Sequence, residues 1–117
     1  MARAPMRQEG SVVGAANANV VITIAAPAAS MKQILRAVGW SYNDDPTGGR
    51  LTIHENTTER VWDWDITASG PGFLSFPDNG WETGQPNHNI VITLYAGGQG
   101  VTGKLIAIWE TEQDPAY

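Results

Sequence analysis

The chain is built of short β-branched or alternating runs, each cut off by a cluster of Gly, Pro, Asn or Asp. Val20-Val21-Ile22-Thr23-Ile24 is β-branched throughout. Such residues fit a pleated surface and are mediocre helix formers. Arg50-Leu51-Thr52-Ile53-His54-Glu55 alternates, with Leu51, Ile53 and Glu55 on one face. Arg60 to Thr67 alternates again, with Trp62, Trp64 and Ile66 opposite Asp63 and Asp65. A period of two means one buried and one wet face. Further strands are read at Phe73–Phe76, Asn89–Ala96 and Val101–Glu110, the last covered on both faces.

One segment is ambiguous. Met31, Ile34, Leu35 and Val38 fall at helical spacing, while Ile34, Val38, Trp40 and Tyr42 share a strand face, with Leu35 and Ala37 on the other. The Gly39-Trp40-Ser41-Tyr42 end decides for a strand. Asn43 to Gly49 and Gly97-Gly98-Gln99-Gly100 are concentrated turn signals. The count is about seven or eight strands with turns roughly every 8 to 15 residues, and no helix. That pattern predicts an all-β fold: a single antiparallel β-sandwich or jelly-roll-like domain.

The 117 residues are enough for one core and too few for two. The domain is expected over 19–110. Residues 1–18 lack periodicity and are read as an extended N-terminal arm, able to span roughly 60 Å at full stretch. Residues 111–117 are read as an acidic C-terminal tail, and 81–88 as an irregular loop. The segment Met1 to Arg7 carries charge without an apolar stretch behind it and does not read as a signal peptide.

Charge and chemistry narrow the function. The net charge is −5, with seven basic residues against twelve acids. Nucleic-acid binders carry a basic face, and anionic membranes recruit basic segments, so neither partner is expected. The absence of cysteine removes disulfides, thiolate metal sites and cysteine nucleophiles and suits a reducing compartment. His54 and His88 are the two histidines, and no G-x-S-x-G accompanies them, so no catalytic triad is read. Two histidines without cysteine cannot make a zinc set. Asp44-Asp45 belongs to a turn, with a structural calcium as the weaker reading. No enzyme activity and no cofactor are expected.

The five tryptophans matter more. Trp62 and Trp64 are expected in the core with Ile66. Trp40 and Trp109 are assigned to core or subunit contact. Trp81 stands in a Gly- and Pro-rich stretch, where an aromatic serves as a lid over the core or as an interface anchor. Asp63, Asp65 and Trp81 together form an alternative ligand-binding set, for carbohydrate or a receptor.

Three stretches carry a family resemblance. They are Asp45-Pro46-Thr47-Gly48-Gly49-Arg50-Leu51-Thr52-Ile53, Asp65-Ile66-Thr67-Ala68-Ser69-Gly70-Pro71-Gly72, and Ala96-Gly97-Gly98-Gln99-Gly100-Val101-Thr102-Gly103-Lys104-Leu105. Over roughly residues 19 to 110 the chain resembles the small head decoration (cement) proteins of tailed double-stranded DNA bacteriophages. The shared features are turns and strands, not catalytic motifs. The resemblance implies a β-sandwich or jelly roll made in the host cytoplasm and placed on the capsid exterior. It would bind across major capsid protein subunits as a homotrimer, or as a dimer at twofold positions. Arg3, Arg7, Trp81 and Tyr117 are the expected docking contacts. The alternative is a carbohydrate- or receptor-binding β-sandwich module of a phage tail or fibre.

Overall fold

The computed structural model describes residues 6–56, 58–76, 80–82 and 87–113. They form nine strands: β1 (Met6–Ala16), β2 (Val20–Ile24), β3 (Met31–Tyr42), β4 (Gly49–Glu55), β5 (Glu59–Ile66), β6 (Gly70–Ser75), β7 (Trp81–Glu82), β8 (Ile90–Leu94) and β9 (Thr102–Gln113). Two sheets stack face to face. Sheet A has the order β1-β9-β3-β6, with β7 also pairing β3; sheet B has the order β2-β8-β4-β5. Every pairing is antiparallel.

The pairings β1–β9, β2–β8, β3–β6 and β4–β5 nest inside one another. The chain is therefore one long antiparallel ribbon, folded back at the β4–β5 turn and rolled so that alternate pairs fall in opposite sheets. This is a jelly roll. The expected fold class is the observed one.

The core lies between the sheets. From sheet B it takes Val20, Ile22, Ile24, Leu51, Ile53, Ile90, Ile92 and Leu94; from sheet A, Leu35, Val38, Tyr42, Leu105 and Ala107. The β-branched run of β2 buries every second residue, as its period requires.

The structure departs from expectation at several points. Residues 6–16 are not an arm: they pair with β9 along the edge of sheet A, Val12 opposite Leu105. Gly10 and Gly14 hid this strand, and both are there for space. A Cβ on Gly14 would sit 2.5 Å from Val20 Cγ2, and one on Gly10 would sit 3.1 Å from the Trp109 indole. At the other end β9 runs to Gln113, beyond the expected boundary at 110, and Trp81–Glu82 pairs with β3 instead of looping freely.

A further departure concerns β3. Leu35 shares the core with Val38 and Tyr42, not the opposite face. A β-bulge inserts Arg36 between Leu35, opposite Trp109, and Ala37, opposite Ile108. One extra residue shifts the alternation by one and turns Leu35 inward.

The sandwich is wedge-shaped. Where β1 lies over β2, glycines let the sheets approach: besides Gly14, a Cβ on Gly103 would meet Leu94 Cδ2 at 2.9 Å. At the β5–β6 side, indoles fill the gap. Trp62 and Trp64 meet edge to face with ring centroids 5.2 Å apart, and Trp64 reaches Trp40 of the other sheet at 6.2 Å. Trp64 is thus not core, as expected from alternation; it is 44% exposed at the mouth of the wedge.

Candidate docking face and aromatic cleft

The two outer faces of the sandwich differ in chemistry. On sheet A, register places Ser11, Ile106, Gly39 and Phe73 in one row across β1, β9, β3 and β6. The next row is Val13, Lys104, Ser41 and Pro71. Val13 is 67% exposed, Phe73 66% and Ile106 40%. Gly39 has no side chain, so the middle of the first row sinks and Ile106 and Phe73 stand as walls. A Cβ there would come within 2.8 Å of Ile106 Cγ2 and 3.5 Å of Phe73 Cδ2. The result is a groove of about 560 Å³, apolar except for the serines and Lys104 at its rim. Ile106 was expected to be covered, and in the described chain it is not.

Sheet B presents ion pairs instead. Arg50 on β4 donates from Nε and Nη2 to the two carboxylate oxygens of Asp63 on β5, each at 2.7 Å. Arg60 Nη1 adds a third bond to Asp63 at 3.0 Å. The Arg50 guanidinium also stands 5.1 Å over the Tyr95 ring. Hydrogen bonding from Arg50 holds the Asp63 carboxyl below the usual range and the Arg50 guanidinium above its own. Arg50, Arg60 and Asp63 are thus paired with one another within the molecule.

A second depression lies at the mouth of the wedge. Trp40, Trp64 and Asp65 border it together with the β5–β6 loop, and its volume is about 330 Å³. The indole of Trp40 lies flat over Gly72, where a Cβ would meet it at 2.2 Å. The loop is tied down from outside: Ser69 N donates to Asp45 Oδ1 at 2.9 Å, and that bond lowers the Asp45 pKa.

The residues singled out from sequence fall as follows. Asp63 and Asp65 lie on sheet B, and Asp63 is committed to the two arginines. Trp81 is on sheet A, half-buried and packed against the core. Asp63 and Trp81 therefore do not share a site, and Asp65 lines the aromatic cleft instead. Arg7 lies in β1 opposite Glu110; Arg3 and Tyr117 lie outside the described residues. His88 Nδ1 is 2.7 Å from Glu55 Oε2, which tethers the approach to β8 onto β4. Asp44 Oδ1 accepts from Asp45 N, a turn contact. Among the described residues no group of three or more His, Asp or Glu converges on a point.

Neither groove was legible from spacing alone. Gly39, Phe73 and Ile106 are distant in the chain and meet only through register. Trp40 joins Trp64 across two sheets.

No protein-family model matches the chain, and no curated protein matches it. Similar solved structures exist at low identity. The cyanophage Pam1 capsid asymmetric unit holds a chain 16% identical, with a TM-score of 0.46, over 95% of this chain and 85% of that one. The carbohydrate-binding module CBM36 in complex with calcium and xylotriose is 14% identical, TM-score 0.45, over 89% and 87%. A pilus protein of Bacillus endospore appendages is 14% identical, TM-score 0.43, over 92% and 89%. At these values the likenesses bear on neither the ligand nor the partner of this chain.

Proposed function

We propose that this chain is a non-enzymatic structural protein of a tailed-phage virion. It decorates the capsid exterior by laying the outer face of sheet A across neighbouring major capsid protein subunits. The observation that carries this reading is the contrast between the two outer faces. Sheet A leaves Val13, Phe73 and Ile106 in water around an open groove, while the outer face of sheet B exposes Val21 beside the paired Arg50, Arg60 and Asp63. Large apolar side chains clustered on one face mark an interaction surface. The phage-like hairpin motifs over residues 19 to 110 supply the partner.

On this reading the protein forms a homotrimer at threefold or quasi-threefold positions, with a twofold dimer as the alternative. Closed symmetry repeats one docking face at each capsomer junction. Phe73, Val13 and Ile106 take the docking role that sequence alone assigned to Trp81. Arg3, Arg7 and Tyr117 remain proposed contacts of the chain ends.

The test mixes purified protein with undecorated heads of the phage, followed by pelleting and electron microscopy. Ordered density at local symmetry axes is the expected result, and Phe73→Asp is expected to abolish it. Protein left in the supernatant over unchanged heads sinks the reading.

A further inference from the structure

We infer that the cleft bordered by Trp40, Trp64 and Asp65 is a binding site for a neutral saccharide. The inference does not depend on the capsid reading; the cleft adjoins the sheet A groove and shares Trp40, Pro71 and Gly72 with it, while Trp64 and Asp65 border the cleft alone.

The apolar half of the argument is the exposed indole. Trp64 packs edge to face on both Trp62 and Trp40, at interplanar angles of 80° and 65°. Its orientation is thus set by two neighbours, yet it stays 44% exposed. An indole held in place but left in water costs free energy that burial would recover. A pyranose ring offers a face of C–H groups that covers an indole well, with its hydroxyls directed outward around the ring.

The polar half is Asp65. It borders the same cleft and is exposed, and its charge interacts with that of Arg50 through space. Arg50 lies opposite it in register but gives its guanidinium donors to Asp63. A carboxylate is an acceptor with room for two hydroxyl donors, the arrangement a sugar edge can satisfy. No basic residue stands among those that line the cleft, and Asp65 would repel an acidic sugar. The ligand class is therefore neutral.

The rim is preorganised. Asp45 holds Ser69 N at 2.9 Å, and Gly70, at φ 91°, makes the turn into β6. The volume of about 330 Å³ sits at the small end of ligand sites and suits one or two sugar rings.

The test uses the full chain and a panel of neutral disaccharides with gluco, galacto, manno and xylo rings. Saturation-transfer NMR and tryptophan fluorescence are recorded with each. We expect at least one sugar to bind with a dissociation constant on the order of 1 mM or tighter. Trp64→Ala is expected to weaken it at least about tenfold, and Asp65→Asn by several-fold. Asp65→Asn alters an exposed side chain, so it remains informative if Trp64→Ala fails to fold. Absence of binding across the panel overturns the inference, as does binding that survives both substitutions. Phe73→Asp should leave sugar binding unchanged, so failure of the capsid reading and failure of this one can be told apart.

Discussion

The Tyr42 hydroxyl donates a 2.6 Å hydrogen bond to the Tyr95 carbonyl and so joins the end of β3 in sheet A to the end of β8 in sheet B. Burial raises the Tyr42 pKa. Tyr42→Phe is expected to lower stability by about 1–2 kcal/mol, since the carbonyl loses its donor. Urea unfolding should show a lower midpoint at unchanged slope. The raised pKa also fixes a pH dependence. The unfolded chain releases the phenolic proton first, near pH 10, so the stability that Tyr42 contributes is present below that pH and is lost above it. Tyr42→Phe should flatten the alkaline limb of the stability curve.

Asp63 predicts the acid limb. Its folded pKa lies below the ordinary aspartate range, chiefly through the hydrogen bond from Arg50. Its contribution is complete at neutral pH and is lost as pH falls through the folded pKa. Asp63→Asn should therefore melt at a lower temperature than the native chain at pH 7, and the two curves should converge as pH falls below the folded pKa of Asp63. Thermal melts across pH test this; a gap that persists at the lowest pH contradicts it.

Gly72 predicts a steric effect on the wedge. A Cβ at this position would sit 2.2 Å from the Trp40 indole. Gly72→Ala is expected to cost about 1–3 kcal/mol and to displace Trp40. The emission of the tryptophan cluster should shift with it, and saccharide binding should fall in parallel.

The bulge in β3 predicts the consequence of a deletion. Removing Arg36 would restore regular alternation and turn Leu35 out of the core. The expected loss is about 2–5 kcal/mol, the cost of emptying a buried leucine site. Arg36→Ala keeps the extra residue and removes the 2.7 Å bond to Glu110, so it should cost less than the deletion.

Phe73 predicts a separation of stability from association. At 66% exposure, Phe73→Asp should change the unfolding free energy by no more than about 0.5 kcal/mol while removing attachment to heads. Denaturation and pelleting on the same preparation check both halves.

Much of the fold was legible because period-two patterning is local. β2 and β4 announce their buried faces residue by residue, and Gly-rich stretches mark the turns. What escaped detection depends on distant contacts. β1 contains Gly10, Gly14 and alanines where a strand pattern would show bulk, since Val20 and Trp109 occupy that space from other strands. The β3 bulge leaves no mark in composition and moves Leu35 by a single position. Trp64 alternates like a core residue but lies on β5, at the edge of sheet B, where nothing among the described residues covers it. Gly39 reads as a weak point in a strand; only its neighbours in register, Ile106 and Phe73, make it the floor of a groove.

The nested ribbon also sets an order on biosynthesis. Val12 pairs with Leu105, so the first strand has no hydrogen-bonding partner until nearly the whole domain has left the ribosome. β3 can pair with β6 earlier but gains its partner on the other side only when β9 is made. Sheet A cannot close during translation, whereas the β4–β5 hairpin can form early from adjacent residues. A nascent chain of this topology spends its synthesis with the inner face of β3 incompletely covered. High translation rates at low temperature should therefore yield more native protein than the same rates at high temperature, where exposed apolar strands associate faster than the last one arrives.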